Sequence, residues 1–214
     1  MANDIMKGQF FPYKDENVSK TKPYITYALI VINVTIFIWS LLDYENIINS
    51  YGFKPAEFAI ITLFTSMFLH GGIDHIFGNM WFLWIFGDNV EDKLGKVKYI
   101  VFYLLSGIAA ALVHYLTNID SFIPTIGASG AISGVLGAYL AFFPKVRVHV
   151  ASGYYHGTVP AYFMLVFWFV LQLIFGGASL LGGRGSGIAF WAHIGGFVFG
   201  YAAAFIYKNM AKGK

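Results

Sequence analysis

Long apolar runs, separated by short stretches of charged or turn-forming residues, make up most of the chain. Runs of this kind are typical of helices that cross a bilayer, which need about 20 mostly apolar residues each. The pattern predicts six such helices, spans one to six, and a marginal interfacial segment at 58–69. The spans cover residues 24–42, 73–87, 97–116, 129–143, 159–181 and 188–207.

Composition also indicates a membrane protein. Of the 214 residues, 57% are hydrophobic and 12% are charged, and the mean hydropathy is +0.63, whereas about a quarter of the residues of a soluble domain are charged. We predict an all-α membrane protein with one six-helix domain, 24–207, between tails at 1–23 and 208–214. The chain has no cysteine, so disulfides and thiolate metal sites are excluded. No cofactor, metal ion, nucleic acid or obligatory protein partner is expected.

Basic residues cluster on one side of the predicted bundle. Of the 14 Lys and Arg residues, all but Lys54 and Arg184 fall in the tails or in the loops after spans two and four. Because cytoplasmic loops retain positive charge, both termini are predicted to be cytoplasmic. The first apolar run is long and lacks a small-residue cleavage site, so we interpret it as a membrane anchor. We expect a multi-pass protein in the lipid bilayer of a prokaryotic cell membrane.

Four polar residues lie near the outer ends of spans two, four and six. They are His75 and Asn79 in span two, Ser129 in span four and His193 in span six. Because each comes early in its span, these residues are predicted at a similar depth, roughly 3 to 9 Å below the outer end.

Span four is short for a membrane helix. Its 15 residues would extend only about 22 Å through a hydrocarbon core of roughly 30 Å. We therefore predict that its amino terminus is recessed in a wettable cavity lined by protein, with Ser129 at the floor.

These residue types suit nucleophilic catalysis. Ser129 at a helix amino terminus would lie among free backbone N–H groups and the positive end of the helix dipole, which favour a developing oxyanion. A neutral His193 can accept the serine proton. His75 and Asn79 are four residues apart, hence on one helical face, and both can donate hydrogen bonds to an oxyanion.

Glycines offer a way to bring spans four and six together. Gly196 and Gly200 form a small-xxx-small face on span six, and span four offers Gly130, Gly134 and Gly137 in return. Such faces let two helices pack closely. The contact would bring His193 over Ser129.

Each of these residues also has a purely structural interpretation. Serine and glycine are common where membrane helices meet, and His75 with Asn79 could join helices through a hydrogen bond. A histidine inside a span more often has a function, because burying an ionisable group is costly. We interpret two of the remaining histidines as structural: His70, just before span two, and His114, in span three. The other two, His149 and His156, follow span four and are expected to be solvated.

In these motifs the chain resembles the rhomboid family of intramembrane serine proteases. A Gly-x-Ser-Gly sequence alone is a weak signal, but three motifs in this order on alternate spans are specific. The matching positions are 67–72 (MFLHGG), His75, Asn79, 127–130 (GASG), 192–196 (AHIGG) and Gly200.

The resemblance implies a rhomboid-like bundle of six helices and a catalytic dyad without a third, acidic residue. Ser129 would be the nucleophile and His193 the base. The backbone N–H of Ser129, together with His75 and Asn79, would bind the oxyanion.

Two features depart from the better-known family pattern. Many members have a tyrosine four residues after the serine, which stacks on the catalytic imidazole, whereas this chain has Ser133. What orients His193 is therefore open. Many members also carry a Trp-Arg pair in the first outer loop, which residues 44–72 lack, so the contact of this loop with the bilayer is expected to differ.

Span five and the linker after it are candidates for a lateral entry path. Trp168 and Gln172, four residues apart on span five, either face that path or pack inside the bundle. The glycine-rich linker 182–187 is either a flexible cap or an ordinary loop.

The expected function is hydrolysis of peptide bonds in or beside transmembrane segments of other proteins. One alternative is an inactive rhomboid-like protein that binds membrane clients, although such proteins typically lack the serine or the histidine. Another is a channel or transporter, but the sequence has no obvious inverted repeat and no acidic residue well inside a span. The motifs of metalloproteases (His-Glu-x-x-His) and of intramembrane aspartyl proteases (Gly-x-Gly-Asp) are missing.

Overall fold

The computed structural model describes residues 11–152, 155–181 and 188–212 of the chain. The glycine-rich linker 182–187, with Arg184, and the basic residues Lys7 and Lys214 lie outside the described residues. Within the described part, six helices of at least 14 residues form a bundle. They are α1 (Tyr24–Ser40), α2 (Ile73–Leu94), α3 (Lys96–Thr117), α4 (Ser129–Phe142), α5 (Ala161–Leu180) and α6 (Phe190–Lys212).

Several of these helices have the length and composition of membrane spans. Helices α3, α5 and α6 are long and apolar enough to cross a bilayer, and α1 and α4 are apolar but shorter. Large apolar side chains such as Val31, Ile174 and Phe205 are exposed on the outside of the bundle, where lipid would cover them. The chain is therefore a multi-pass membrane protein, as its composition predicts.

Helix α4 lies at the centre of the bundle. Every residue from Gly130 to Tyr139 is buried, and helices α2, α3, α5 and α6 pack against it. Its Gly, Ala and Ser residues make this possible, because small side chains let neighbouring backbones approach closely.

Helices α4 and α6 pack backbone against backbone. A methyl group added at Gly196 would collide with the carbonyl oxygen of Gly130, and one added at Gly200 with that of Gly134. From the other side, a methyl group at Gly137 would collide with a backbone carbonyl of α6. Side chains at these positions would force the helices apart, so the glycines set the distance between α4 and α6.

The carboxylate of Glu91, near the end of α2, accepts hydrogen bonds from the amino terminus of α1. Glu91 is buried and accepts hydrogen bonds from the backbone N–H groups of Ile25 (3.1 Å) and Thr26 (2.8 Å). It also accepts one from the Thr26 hydroxyl at 2.8 Å. The first N–H groups of a helix lack partners within the helix, and the helix dipole favours an anion there. Span two was predicted to end before its charged cluster, 88–93. Helix α2 instead continues to Leu94, because the charge of Glu91 in this cluster is compensated by hydrogen-bond donors from α1.

The loop between α1 and α2 is tied to the segment before α4. Phe53 and Thr125 form an isolated antiparallel bridge with N···O distances of 3.0 and 2.8 Å. The predicted interfacial segment contains only short helical turns. The helices and turns of this loop are Tyr44–Tyr51, Pro55–Glu57, Thr62–Thr65 and Ser66–Phe68.

A small antiparallel sheet, which is absent from the predicted elements, packs against the helices. In spatial order its strands are β1 (Phe11–Asp15), β2 (Arg147–Ser152) and β3 (Tyr155–Pro160). Val148 and Val150 on β2 point into the core, as expected for the alternation of a strand. The all-α prediction is thus corrected to a mostly helical fold with a three-stranded sheet, because such short strands give no long apolar run.

Two histidines expected to be solvated lie on this sheet. The rings of His149 and His156 pack against Tyr13, with centroids 5.7 and 6.4 Å away, and His149 Nε2 is 3.3 Å from the Glu16 carboxylate. His156 is exposed, as expected, whereas His149 is partly buried.

Asp15, at the end of β1, joins the amino-terminal segment to the bundle through hydrogen bonds. Its carboxylate accepts hydrogen bonds from the Tyr139 hydroxyl of α4 and from the Asn89 amide of α2. Burial raises the pKa of Asp15 to about 6; the hydrogen bond from Tyr139 opposes this rise, and the charge of Asp88 adds to it. The last part of the predicted tail 1–23 is therefore packed on the helices.

Replacing Gly200 with alanine tests the packing of α6 on α4. We expect Gly200→Ala to destabilise the protein by roughly 1–3 kcal/mol, because the added methyl group forces the backbones apart. The matched control is Gly177→Ala on α5, where nothing lies within 4 Å of the added methyl group. Thermal unfolding in detergent measures both variants, and equal unfolding midpoints would contradict the packing role of Gly200.

The raised pKa of Asp15 predicts that stability depends on pH. In the folded protein the pKa of Asp15 is about 6, compared with 3.8 for an ordinary aspartate. Protonated Asp15 therefore makes its full contribution to the free energy of unfolding below a pH of about 4, and this contribution is lost as the pH rises through about 6. Asp15→Asn keeps an acceptor for Tyr139 but does not titrate, so its unfolding midpoint should vary less across this range. Identical pH dependence in the two proteins would refute the prediction.

Candidate active site

The four polar residues singled out in the sequence meet at one cavity. Its volume is about 1320 Å³, and His75, Asn79, Ser129 and His193 all line it. Helix α2 supplies the first two, α4 begins with the serine, and α6 carries the histidine. The glycine contact between α4 and α6 begins within one turn of His193, so it controls how α6 presents the imidazole to α4.

Ser129 and His193 are joined by a hydrogen bond. The distance between Ser129 Oγ and His193 Nε2 is 2.8 Å. Ser129 is the first residue of α4, where backbone N–H groups have no partner within the helix. A hydroxyl that donates to an unprotonated imidazole nitrogen has the geometry of a nucleophile with its general base. The pair is therefore equipped for acyl transfer.

Two residues of α5 lie beside the His193 imidazole. Gln172 Oε1 is 2.9 Å from His193 Nδ1, and the centroid of the Trp168 ring is 6.0 Å from that of the imidazole. Ser133, at the position of the usual tyrosine, donates its hydroxyl to the Ser129 carbonyl oxygen at 2.6 Å. Trp168 and Gln172 were expected either to face an entry path or to pack inside the bundle. The structure favours packing, because both residues contact His193.

His75 and Asn79 each keep a hydrogen-bond donor for a ligand. Nδ1 of His75 accepts a hydrogen bond from the Gly71 backbone N–H at 3.2 Å, so the proton of the neutral imidazole lies on Nε2. The Asn79 amide donates to the His75 carbonyl oxygen at 2.9 Å. Since an amide nitrogen carries two hydrogens, one remains for the cavity.

Gly127 keeps the space between His75 and Ser129 open. Its φ of +127° lies in the region that favours glycine, and its N–H donates to the Ser66 carbonyl oxygen at 2.9 Å. A Cβ atom at this position would lie 2.8 Å from His75 Nε2 and 3.5 Å from Ser129 Oγ. The missing side chain leaves room for a ligand atom beside both groups.

Two other histidines adjoin the site. His70 is fully buried, and its ring centroid lies 5.1 Å from that of His75. Burial, with the nearby His75, lowers the pKa of His70 to about 4, so His70 is uncharged at neutral pH. His114 lines the cavity with its Nε2 2.8 Å from the Thr125 hydroxyl. This hydrogen bond agrees with the structural role expected for His114, and the residue also lines the cavity.

A signal in the sequence could have identified His114 and Gln172 as neighbours of the site. Spans three and five run toward the outer side, so polar residues late in these spans share the predicted depth of His193. Unlike the four predicted site residues, they lie in spans that end on that side.

Within the described ranges, no group of three or more His, Cys, Asp or Glu side chains is placed to hold an ion. The polar side chains around Ser129 and His193 are hydroxyl, imidazole and amide groups, and the carboxylate of Asp74 also lines the cavity.

The part of the chain that forms this cavity is similar to known proteins. A family model for the Rhomboid domain matches residues 57–210. Rhomboid protein 1, mitochondrial, of Saccharomyces cerevisiae is 32% identical over 67% of this chain and 46% of its own length. RHOMBOID-like protein 1 of Arabidopsis thaliana is 30% identical over 68% of this chain and 34% of its own length. Presenilin-associated rhomboid-like protein, mitochondrial, of Rattus norvegicus is 28% identical over 85% of this chain and 49% of its own length.

These relatives differ from the chain in length and source. The chain spans about a third to a half of their length. All three are eukaryotic and two are named as mitochondrial proteins, which conflicts with the expectation of a prokaryotic cell membrane. The match to the family model contains all four predicted site residues and runs from before α2 almost to the end of α6. Since it covers well over half of the sequence, the chain belongs to the rhomboid family.

Proposed function

We propose that this protein is an intramembrane serine endopeptidase that cleaves transmembrane segments of other membrane proteins. The observation that carries the proposal is the 2.8 Å hydrogen bond between Ser129 Oγ and His193 Nε2 at a cavity among membrane helices. Membership of the rhomboid family supports it, because the family resemblance implies this dyad.

In the proposed reaction Ser129 is the nucleophile and His193 is the general base. Ser129 Oγ attacks the carbonyl carbon of the peptide bond while its proton passes to His193 Nε2. The tetrahedral intermediate then collapses, the proton moves to the leaving amine, and an acyl ester remains on Ser129. Water attacks this ester, again with His193 as base, and releases the new carboxyl terminus and the free serine.

Three donors would stabilise the oxyanion of the intermediate. They are Nε2–H of His75, the free amide hydrogen of Asn79 and the backbone N–H of Ser129. His75 and Ser129 border the space that Gly127 leaves open, and Asn79 lines the same cavity. The amino terminus of α4 adds the positive end of a helix dipole. Fixed donors are effective in such a site because they need no reorganisation as the charge develops.

The proposed enzyme is a bundle of six spans in which the fourth helix is recessed. Helix α4 has 14 residues and would extend about 21 Å, less than the roughly 30 Å hydrocarbon core. Its enclosure by other helices supports this arrangement, since it needs no long lipid-facing surface. In the proposed orientation both termini and the β-sheet lie on the Lys-rich cytoplasmic side, and the cavity opens on the opposite side.

The cavity also fits the chemistry of a transmembrane substrate. A helix in lipid hides its carbonyl groups in its own hydrogen bonds, so the substrate must unwind before Ser129 can attack it. The polar side chains around the cavity offer new partners to the unwound backbone. Transmembrane proteins and the bilayer are the proposed partners, and the reaction needs no cofactor.

Loss of either dyad residue should abolish cleavage. The purified protein, reconstituted with a transmembrane model substrate, is expected to cleave it, whereas Ser129→Ala and His193→Ala should lower kcat by at least about 10³-fold. Ser50→Ala and His156→Ala, at exposed positions outside the cavity, are matched controls that should retain activity. Cleavage is followed by mass spectrometry of the products.

Two results would count against these assignments. Cleavage by either dyad variant at the wild-type rate would show that the dyad is wrong. A folded wild-type protein that neither cleaves transmembrane substrates nor reacts with a fluorophosphonate would instead indicate an inactive member of the family.

The oxyanion donors predict a different kinetic pattern. His75→Ala and Asn79→Ala should each lower kcat by about 10²- to 10³-fold with little change in KM, because these donors act mainly on the charge that develops in the transition state. The exposed Asn46→Ala is the control. A rise in KM at constant kcat would assign these residues to substrate binding instead.

A further inference from the structure

We propose that Gln172 is the positioning residue that fixes the tautomer and orientation of His193, in place of the tyrosine that many rhomboids use. The inference rests on the proposed function for its catalytic consequence. Its structural part, a hydrogen bond that selects one tautomer, is independent of catalysis.

The placement of Gln172 on α5 points to a specific partner. Helix α5 exposes most of its large apolar side chains; Leu173 and Ile174, the next two residues, are 43% and 57% exposed. Gln172 is only 8% exposed and turns its amide inward. A buried amide among apolar groups needs a hydrogen-bond partner. The observed partner is His193 Nδ1, 2.9 Å from Gln172 Oε1.

This contact selects the tautomer that catalysis needs. An amide oxygen can only accept a hydrogen bond, so His193 Nδ1 must carry the proton. Nε2 then has a free lone pair, and it is this atom that lies 2.8 Å from Ser129 Oγ. A serine hydroxyl can donate or accept and thus selects neither tautomer. With the proton on Nε2 instead, His193 could not take the serine proton.

An amide suits this position better than a carboxylate. An ionised carboxylate in an apolar surrounding has a large desolvation cost. The neutral oxygen of Gln172 orients the imidazole without adding a charge. When His193 gains the serine proton, the amide dipole still points its negative end at Nδ1–H.

Trp168 restricts the imidazole from a second direction. It lies one turn before Gln172 on α5, with its ring centroid 6.0 Å from that of His193 and the ring planes 33° apart. An aromatic face within about 6 Å also attracts a cation, so it favours the protonated imidazole that forms during the reaction. Helix α5 thus supplies both an acceptor and an aromatic wall for the base.

Nitrogen NMR tests the structural part directly. The probe is protein labelled with ¹⁵N-histidine, and the His193 signals are assigned by their loss in His193→Ala. We expect a protonated Nδ1 and an unprotonated Nε2 in the wild type and in Ser129→Ala, and a mixture of tautomers in Gln172→Leu. A protonated Nε2 in the wild type, or an unchanged tautomer in Gln172→Leu, would overturn the inference.

Kinetics of three variants test the catalytic consequence. Gln172→Leu removes the acceptor, whereas Gln172→Glu keeps an acceptor oxygen of the same reach in either protonation state. The control is Leu173→Ala on the lipid-facing side of α5. We expect Gln172→Leu to lower kcat and the rate of fluorophosphonate labelling by about 10- to 100-fold with KM unchanged, Gln172→Glu to recover most of that loss, and Leu173→Ala to match the wild type.

The outcomes separate this inference from the proposed function. Wild-type rates in Gln172→Leu, or equal losses in Gln172→Leu and Gln172→Glu, would overturn the role of the acceptor. A wild-type protein that shows the Gln172-dependent tautomer but neither cleaves nor is labelled would refute the protease function and leave the positioning role supported.

Discussion

Because Gly130, Gly134, Gly196 and Gly200 carry no side chains, the backbones of α4 and α6 lie in direct contact, and the geometry of the site depends on that contact. The serine begins α4, and the histidine lies less than one turn before the contact on α6. A hydrogen bond of 2.8 Å between them allows little change in the distance between the two helices. In lipid, where apolar side chains gain little by leaving their surroundings, close van der Waals packing of this kind is the main force that joins helices.

At the other end of the bundle, two carboxylates hold the helices that frame the site. Glu91 on α2 binds the amino terminus of α1, and Asp15 on β1 binds the side chains of Tyr139 and Asn89. Buried charges are tolerated only when donors compensate for lost water, and here backbone N–H groups, hydroxyls and an amide supply them. The amino-terminal segment thereby links α2 to α4, the two helices that carry the proposed oxyanion donors.

The side chains that hydrogen-bond to the two residues of the proposed dyad are neutral. In the proposed reaction Ser129 and His193 form the dyad, and the amide of Gln172 lies where a soluble serine protease would have a carboxylate. In apolar surroundings a fixed dipole orients an imidazole at a lower desolvation cost than a full charge. The proposed role of α5 follows from this preference, since α5 brings the acceptor to the imidazole while its other side faces lipid.

The sequence alone determined the helices and the residues of the proposed dyad. Apolar runs of membrane length depend only on local composition, so α3, α4 and α5 begin and end within about two residues of their predicted limits. Ser129 and His193 stood out because polar side chains are costly inside spans. Only the tertiary structure decided which polar groups pair. The partner of His193, the sheet formed by β1 with β2 and β3, and the extension of α2 past Glu91 all depend on which faces of distant segments meet, and no local pattern encodes those contacts.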